Sequence, residues 1–113
     1  MVEDNSHAGN GPVMLDIGGD IGALIVTMPA ALAGVEVEAC PIAGAAFDGY
    51  AGAHLPHVSV LARPVGRGVQ HSAVFAELQE GEYQLYLRPH GPARLTAVVQ
   101  GGEVTTALWP AAG

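Results

Sequence analysis

Apolar and polar residues alternate along most of this chain, and the alternation breaks every few residues at glycine, proline or aspartate. Period two is the spacing of a half-buried strand, because successive side chains leave a strand on opposite faces. The cleanest instance is Gly34-Val35-Glu36-Val37-Glu38-Ala39, which predicts valines turned inward and glutamates turned to solvent. Val13, Leu15 and Ile17 alternate with Met14 and Asp16, and Ile21 to Met28 is apolar on both faces, as a central or covered strand would be. Pro29 to Gly34 is a break with room for one short helical turn. Further strands are predicted over His57 to Ala62, ending at Arg63-Pro64, and over Val69 to Ala76. Tyr83 to Arg88, Leu95 to Val99 and Val104 to Trp109 complete the set. Turns fall at Val65 to Gly68, Leu78 to Glu82, Pro89 to Pro92 and Gly101-Gly102. About eight short strands with no helical period predict an all-β, single-domain antiparallel β-sandwich or small barrel.

With 113 residues the chain fits one domain, read as residues 12–113 behind a polar leader over residues 1–11. Residues 42–56, rich in glycine and alanine, read as a long loop. Half of the residues are hydrophobic but only 13% are charged, against the usual quarter or so. So few charges leave apolar surface exposed, which predicts a homo-oligomer or a chain that docks on another protein.

Charge excludes several partners. Eleven carboxylates face four arginines and no lysine, for a formal net charge of −7. Nucleic-acid binding neutralises several phosphates, and an anionic membrane surface likewise demands cations, so neither is expected. Without lysine there is no Schiff base and no P-loop. One cysteine, Cys40, permits no intrachain disulfide, and no basic, apolar signal opens the chain, which points to the cytoplasm.

The glycines of Leu15-Asp16-Ile17-Gly18-Gly19-Asp20-Ile21-Gly22 invite comparison with a dinucleotide loop. That loop needs G-x-G-x-x-G at the start of a helix, whose N-terminus faces the pyrophosphate. Here the spacing differs and a β-rich run follows, so Gly18-Gly19 reads as a hairpin turn needing positive φ. Asp16 and Asp20 then serve solvent and turn amides.

The segment Ala73-Val74-Phe75-Ala76-Glu77-Leu78 to Gly81-Glu82-Tyr83-Gln84-Leu85, followed by Leu95 to Trp109, resembles the end of an immunoglobulin-like, prealbumin-type sandwich. Carboxypeptidase-regulatory and collagen-adhesin B-type modules share this aromatic, leucine and glycine-x-tyrosine pattern before a terminal strand. The likeness covers the last third to half of the chain. The whole chain is also similar to short bacterial β-sandwich proteins that open on the same leucine-aspartate-isoleucine-glycine-glycine-aspartate run, and that likeness implies no activity. The resemblance implies an Ig-like or prealbumin-like sandwich of about 7–8 strands.

Several residues bear chemistry. His54-Leu55-Pro56-His57 places two histidines three apart, but Pro56 holds Leu55 extended, and residues three apart on a strand face opposite ways. A hairpin of His57–Ala62 with Val69–Ala76 would instead bring His57 towards His71, and with His54 these would bind zinc or copper. Blue copper is excluded, since Cys40 has no neighbouring histidine and none follows His90. Serine hydrolysis has little footing: none of Ser6, Ser59 and Ser72 sits in a G-x-S-x-G elbow. The arginines are expected to neutralise carboxylates at turns. Trp109 is expected to close the core with Tyr83 or Tyr86.

The expected product is therefore a non-enzymatic binding or interaction module without an obligatory cofactor. Recognition is expected at a loop end holding Phe47, Tyr50, His54 and His57, or on a sheet face. A metal protein built on His54, His57 and His71 is the alternative, and a small hydrolase a remote one.

Overall fold

The structure is a computed structural model and describes residues 15, 17–43, 55–89 and 91–110. Its strands are β1 (Ile21–Met28), β2 (Glu36–Ala43), β3 (His57–Ser59), β4 (Leu61–Val65), β5 (Gly68–Gln79), β6 (Gly81–Leu87), β7 (Leu95–Val99) and β8 (Val104–Leu108), with a single 3₁₀ turn at Ala30–Leu32. They form two four-stranded sheets, β4-β5-β1-β8 (sheet I) and β3-β2-β6-β7 (sheet II). The fold is the expected β-sandwich. All pairings between strands are antiparallel except β1 with β8, which run parallel.

Alternation decides which side chains fill the space between the sheets. Sheet I sends in Leu24, Val26 and Met28 from β1 and Ala73, Phe75 and Leu78 from β5. Sheet II answers with Val37 and Ala39 from β2, Tyr83 and Leu85 from β6, and Ala97 and Val99 from β7. Each fully buried leucine or valine contributes roughly 1.5–3 kcal/mol. Phe75 and Leu78 are an odd number of residues apart yet both reach the core. The β1–β5 register slips between Gly22 and Leu24, so that Ala76 and Glu77 together stand opposite Ala23. This extra residue returns Leu78 to the inner face.

The Gly18-Gly19 segment is a turn, as the alternation predicts. Gly18 and Ile21 exchange both backbone hydrogen bonds at 2.9 Å around Gly19-Asp20. Gly19 has φ +59 and Asp20 a negative φ, the signs of a type II′ turn. The expected strand before it does not form at Leu15 and Ile17, and residues 12–14 and 16 lie outside the described residues. The reason is steric: β1 is already flanked by β5 and β8, so no third partner fits beside it. The last glycine turn packs directly on this one. A Cβ on Gly101 would overlap the Gly19 carbonyl oxygen, and one on Gly22 would overlap that of Gln100.

Other boundaries shift. His57 to Ala62 is two strands, because Val60 is spent on a bridge: its N–H donates to the Val35 carbonyl at 2.9 Å and its carbonyl accepts the Gly34 N–H at 2.8 Å. β3 therefore stays in sheet II and β4 crosses to sheet I. β4 continues through Pro64, which an edge strand tolerates because its missing donor faces no neighbour. β2 runs on to Ala43, and the turn expected over Leu78 to Glu82 shrinks to Glu80.

Candidate functional site

The histidines are not brought together as the hairpin expectation requires. The β4–β5 hairpin exists, but it sets His71 opposite Ala62. His57 lies in the other sheet, opposite Glu38 on β2, with its Nδ1 3.0 Å from the Leu55 carbonyl oxygen. The proposed partners Phe47, Tyr50 and His54 lie outside the described residues, as do the leader and most of the long loop. Among the described residues no three of His, Cys, Asp and Glu gather closely enough to hold a metal ion. Cys40 is a half-buried free thiol.

On the outward face of sheet II the β2–β6 centre is a charged cluster, with the exposed side chains of Ile42 and Val98 beside it. Glu36 and Glu38 leave β2 on the side away from the core, and β6 brings Tyr86 opposite Glu38, with Arg88 two residues on. Arg88 pairs with Glu36 at 2.7 Å through Nη1 and with Glu38 at 3.0 Å through Nε. The Tyr86 hydroxyl donates to the other oxygen of Glu38. Burial, then the hydrogen bond and the negative charge of Glu38, push the Tyr86 phenol up to about 12. Contrary to the simple alternation, Glu38 is not given to solvent: its side chain keeps only 15% exposure. Every charge in this cluster has a partner. It reads as a structural clamp between β2 and β6.

The outward face of sheet I is different. On its β8–β1 half the register aligns Val104 with Ala23, Thr106 with Ile25 and Leu108 with Thr27, and none of these carries a charge. Leu108 is 72% exposed and Val104 42%. Among the described strand residues of this face, charge appears only on the far half, at Glu77 and at Arg63. Arg63 donates through Nε to the buried hydroxyl of Ser72 at 2.9 Å, and burial draws its pKa below the ordinary value. Ser72, the one buried polar side chain among the described residues, is thereby satisfied as an acceptor, and no histidine bonds it as a base would. Gln70 ties β5 to β1 through the Thr27 hydroxyl at 3.2 Å.

β8 is also the edge of its sheet. The Glu103 carbonyl accepts from Ala23 at 3.0 Å and the Trp109 N–H donates to Thr27 at 2.9 Å. The N–H and C=O of one strand residue point to the same side and those of the next to the other. Residues 103, 105, 107 and 109 therefore face β1, and the backbone groups of Val104, Thr106 and Leu108 face outward. The neighbouring edge of sheet II is partly closed, since the Val98 carbonyl accepts the Thr105 hydroxyl at 3.1 Å. Natural edges are commonly blunted by charge, proline or a cover. β8 carries none of these among the described residues. Sequence reading finds this strand but not its exposure; the available signal is a Val-Thr-Thr-Ala-Leu run without charge in an acidic chain.

A shallow apolar cup of about 150 Å³ opens at the other end of the strands, between Leu32, Leu87 and Trp109, with Arg94 at its margin. Trp109 is buried in the same core cluster as Tyr83, whereas Tyr86 faces outward to Glu38. No helix among the described residues is long and apolar enough to cross a membrane. Comparison with protein-family models, with curated proteins and with solved structures returns no match.

Proposed function

We propose that this protein is a small cytoplasmic interaction module of the immunoglobulin-like type, whose recognition surface is the uncharged half of sheet I and whose first partner is a second copy of itself. The observation that carries the reading is the edge strand β8, which offers two exposed aliphatic side chains and open backbone groups without a charge to deter pairing. Burying such groups against a like surface removes apolar area from water and satisfies the edge at the same time. A partner that recognises through its charges finds none to meet on this strip, and a basic one would be drawn to the carboxylates elsewhere.

The immunoglobulin-like part of the reading is supported by one corner of the fold. The chain leaves sheet I after β5 and enters sheet II at β6, and across that corner the Tyr83 hydroxyl donates to the Gln79 carbonyl at 2.6 Å. A tyrosine tying back to the backbone a few residues upstream is a recurrent corner of such sandwiches. The chemistry of binding is non-catalytic: the polar clusters described above are closed on themselves, and recognition rests on shape, apolar contact and strand edges.

Sedimentation velocity of the untagged full chain over micromolar to millimolar concentration tests the proposal. A concentration-dependent shift from monomer to dimer supports it, and a monomer throughout rejects it.

A further inference from the structure

Resting on that reading, we infer that two copies join through antiparallel pairing of β8 with β8 about a two-fold axis at Thr106, merging their four-stranded sheets into one continuous sheet. Parity fixes the choice. Val104, Thr106 and Leu108 are the residues of β8 whose N–H and C=O point to the open edge, because their neighbours are committed to β1. In an antiparallel ladder, residues that exchange hydrogen bonds stand directly opposite one another. Only registers that set even-numbered residues against even-numbered ones satisfy both chains. Of these, the register centred on Thr106 overlaps the whole of β8: Thr106 meets Thr106 of the second copy, and Val104 meets its Leu108.

The side chains agree with the backbone. Val104, Thr106 and Leu108 also project from the outward face, where exposure is greatest. The pairing thus makes two aliphatic Val–Leu contacts flanking a Thr–Thr pair, both of which stabilise cross-strand neighbours. No carboxylate meets a carboxylate, although each chain carries a net charge of −7. A shifted register strands at least one of the aliphatic residues on each copy in water. The arrangement is isologous, so it closes at two copies and does not propagate into a fibre. One pair of five-residue strands buries less than a stable obligate interface, so the dimer forms in the micromolar range or weaker.

Cysteine cross-linking tests the register independently of the association. In a Cys40→Ala background, Thr106→Cys places two thiols across the axis with Cα atoms about 5.5 Å apart, within disulfide reach. Val104→Cys or Leu108→Cys alone puts its thiols four strand residues apart, about 13 Å, beyond reach. With mild oxidant at a concentration where the parent sediments as a dimer, the Thr106→Cys protein is expected to cross-link at least tenfold faster than either flanking variant. All three sites are exposed, so folding is not at stake, and unchanged circular dichroism checks it. A parent that dimerises while Thr106→Cys cross-links no faster than the others overturns the register and leaves the association reading standing. A parent that stays monomeric at every concentration overturns both.

Discussion

The two sheets share one core, yet their outward faces are covered in opposite ways. At its centre sheet II displays Glu36, Glu38, Tyr86 and Arg88, a set in which each charge is met by its neighbour. Its exposed aliphatic side chains, Ile42 and Val98, lie apart from one another on β2 and β7. Sheet I displays Val104, Thr106 and Leu108 beside half-buried Ile25 and Thr27 over its β8–β1 half, while Ala23 is buried. Among the described strand residues of this face, charge stands only at Glu77 and Arg63 beyond. A face whose polar groups are satisfied within the monomer has little to gain from a partner. A face that leaves aliphatic groups and an open edge in water gains from being covered. Arg88, Glu36 and Glu38 thus hold β2 to β6 in sheet II, whereas the β8–β1 half of sheet I is left for contact. Substitutions should therefore separate: those on sheet I change association, those on sheet II change stability.

The largest effect is expected from Leu108→Glu. It removes a leucine worth roughly 1.5–3 kcal/mol of burial from both ends of a symmetric interface and puts a carboxylate there instead. Sedimentation equilibrium should show dimerisation weakened by about a hundredfold or more, which is ~2.7 kcal/mol. Dilute, monomeric protein should unfold at an unchanged urea midpoint. A fall in that midpoint comparable to a core truncation would mean that Leu108 belongs to the monomer's own packing, and the contrast between the faces would collapse.

Arg88→Met makes the opposite test. Glu38 is mostly buried, so losing its cation leaves a carboxylate with only the Tyr86 hydroxyl, whereas Glu36 stays well solvated. A loss of about 1–2 kcal/mol in urea unfolding is expected, nearly all of it from Glu38. The dimerisation constant should not move. If it does, sheet II takes part in the interface.

The alternation of Val37 and Ala39 against Glu36 and Glu38 is a local signal, and it reported both the strand and its buried face. β1 and β7 were equally legible, as was a turn at the Gly18-Gly19 segment though not its centre at Gly19-Asp20, since each depends on nearest neighbours. What the sequence did not disclose was pairing across distance. Val60 reads as one more residue in a strand, and only its hydrogen bonds to Gly34 and Val35 turn it into the point where the chain changes sheets. That change separates His57 from His71 and dissolves the expected pair. The same limit hid β8: its residues announce a strand, but whether a strand is central or at an edge is a property of the sheet. Arg88 shows the limit from the other side. It lies beyond the last alternating residue of β6, and its two glutamate partners are about fifty residues away.

Tyr86 offers a smaller effect with a definite sign. Its folded pKa, about 12, lies above the ordinary value of 10.0. The phenol must keep its proton to donate to Glu38, so the folded chain holds that proton more tightly than the unfolded one. The stabilisation is fully present below about pH 10 and is lost as pH rises through 12. Tyr86→Phe should cost about 1 kcal/mol at pH 8. The gap between parent and variant should narrow from pH 10 upward, read from urea midpoints. A gap that stays constant to pH 12 would show that Glu38 is held by Arg88 alone.

Salt should have the smallest effect, and its direction discriminates between the faces. Two chains of net charge −7 repel one another over a Debye length of about 14 Å at 0.05 M salt. At 0.5 M that length falls to roughly 4 Å, and the repulsion between bodies that meet on an uncharged strip is largely removed. Dimerisation through β8 should therefore tighten a few-fold between these concentrations. An interface built from the glutamates and Arg88 of sheet II would respond in the opposite sense, because screening weakens exposed ion pairs. Repeating the titration with Leu108→Glu sharpens the distinction. Carboxylates brought to the edge itself add repulsion at short range, so whatever association survives in that variant should depend on salt more steeply than in the parent.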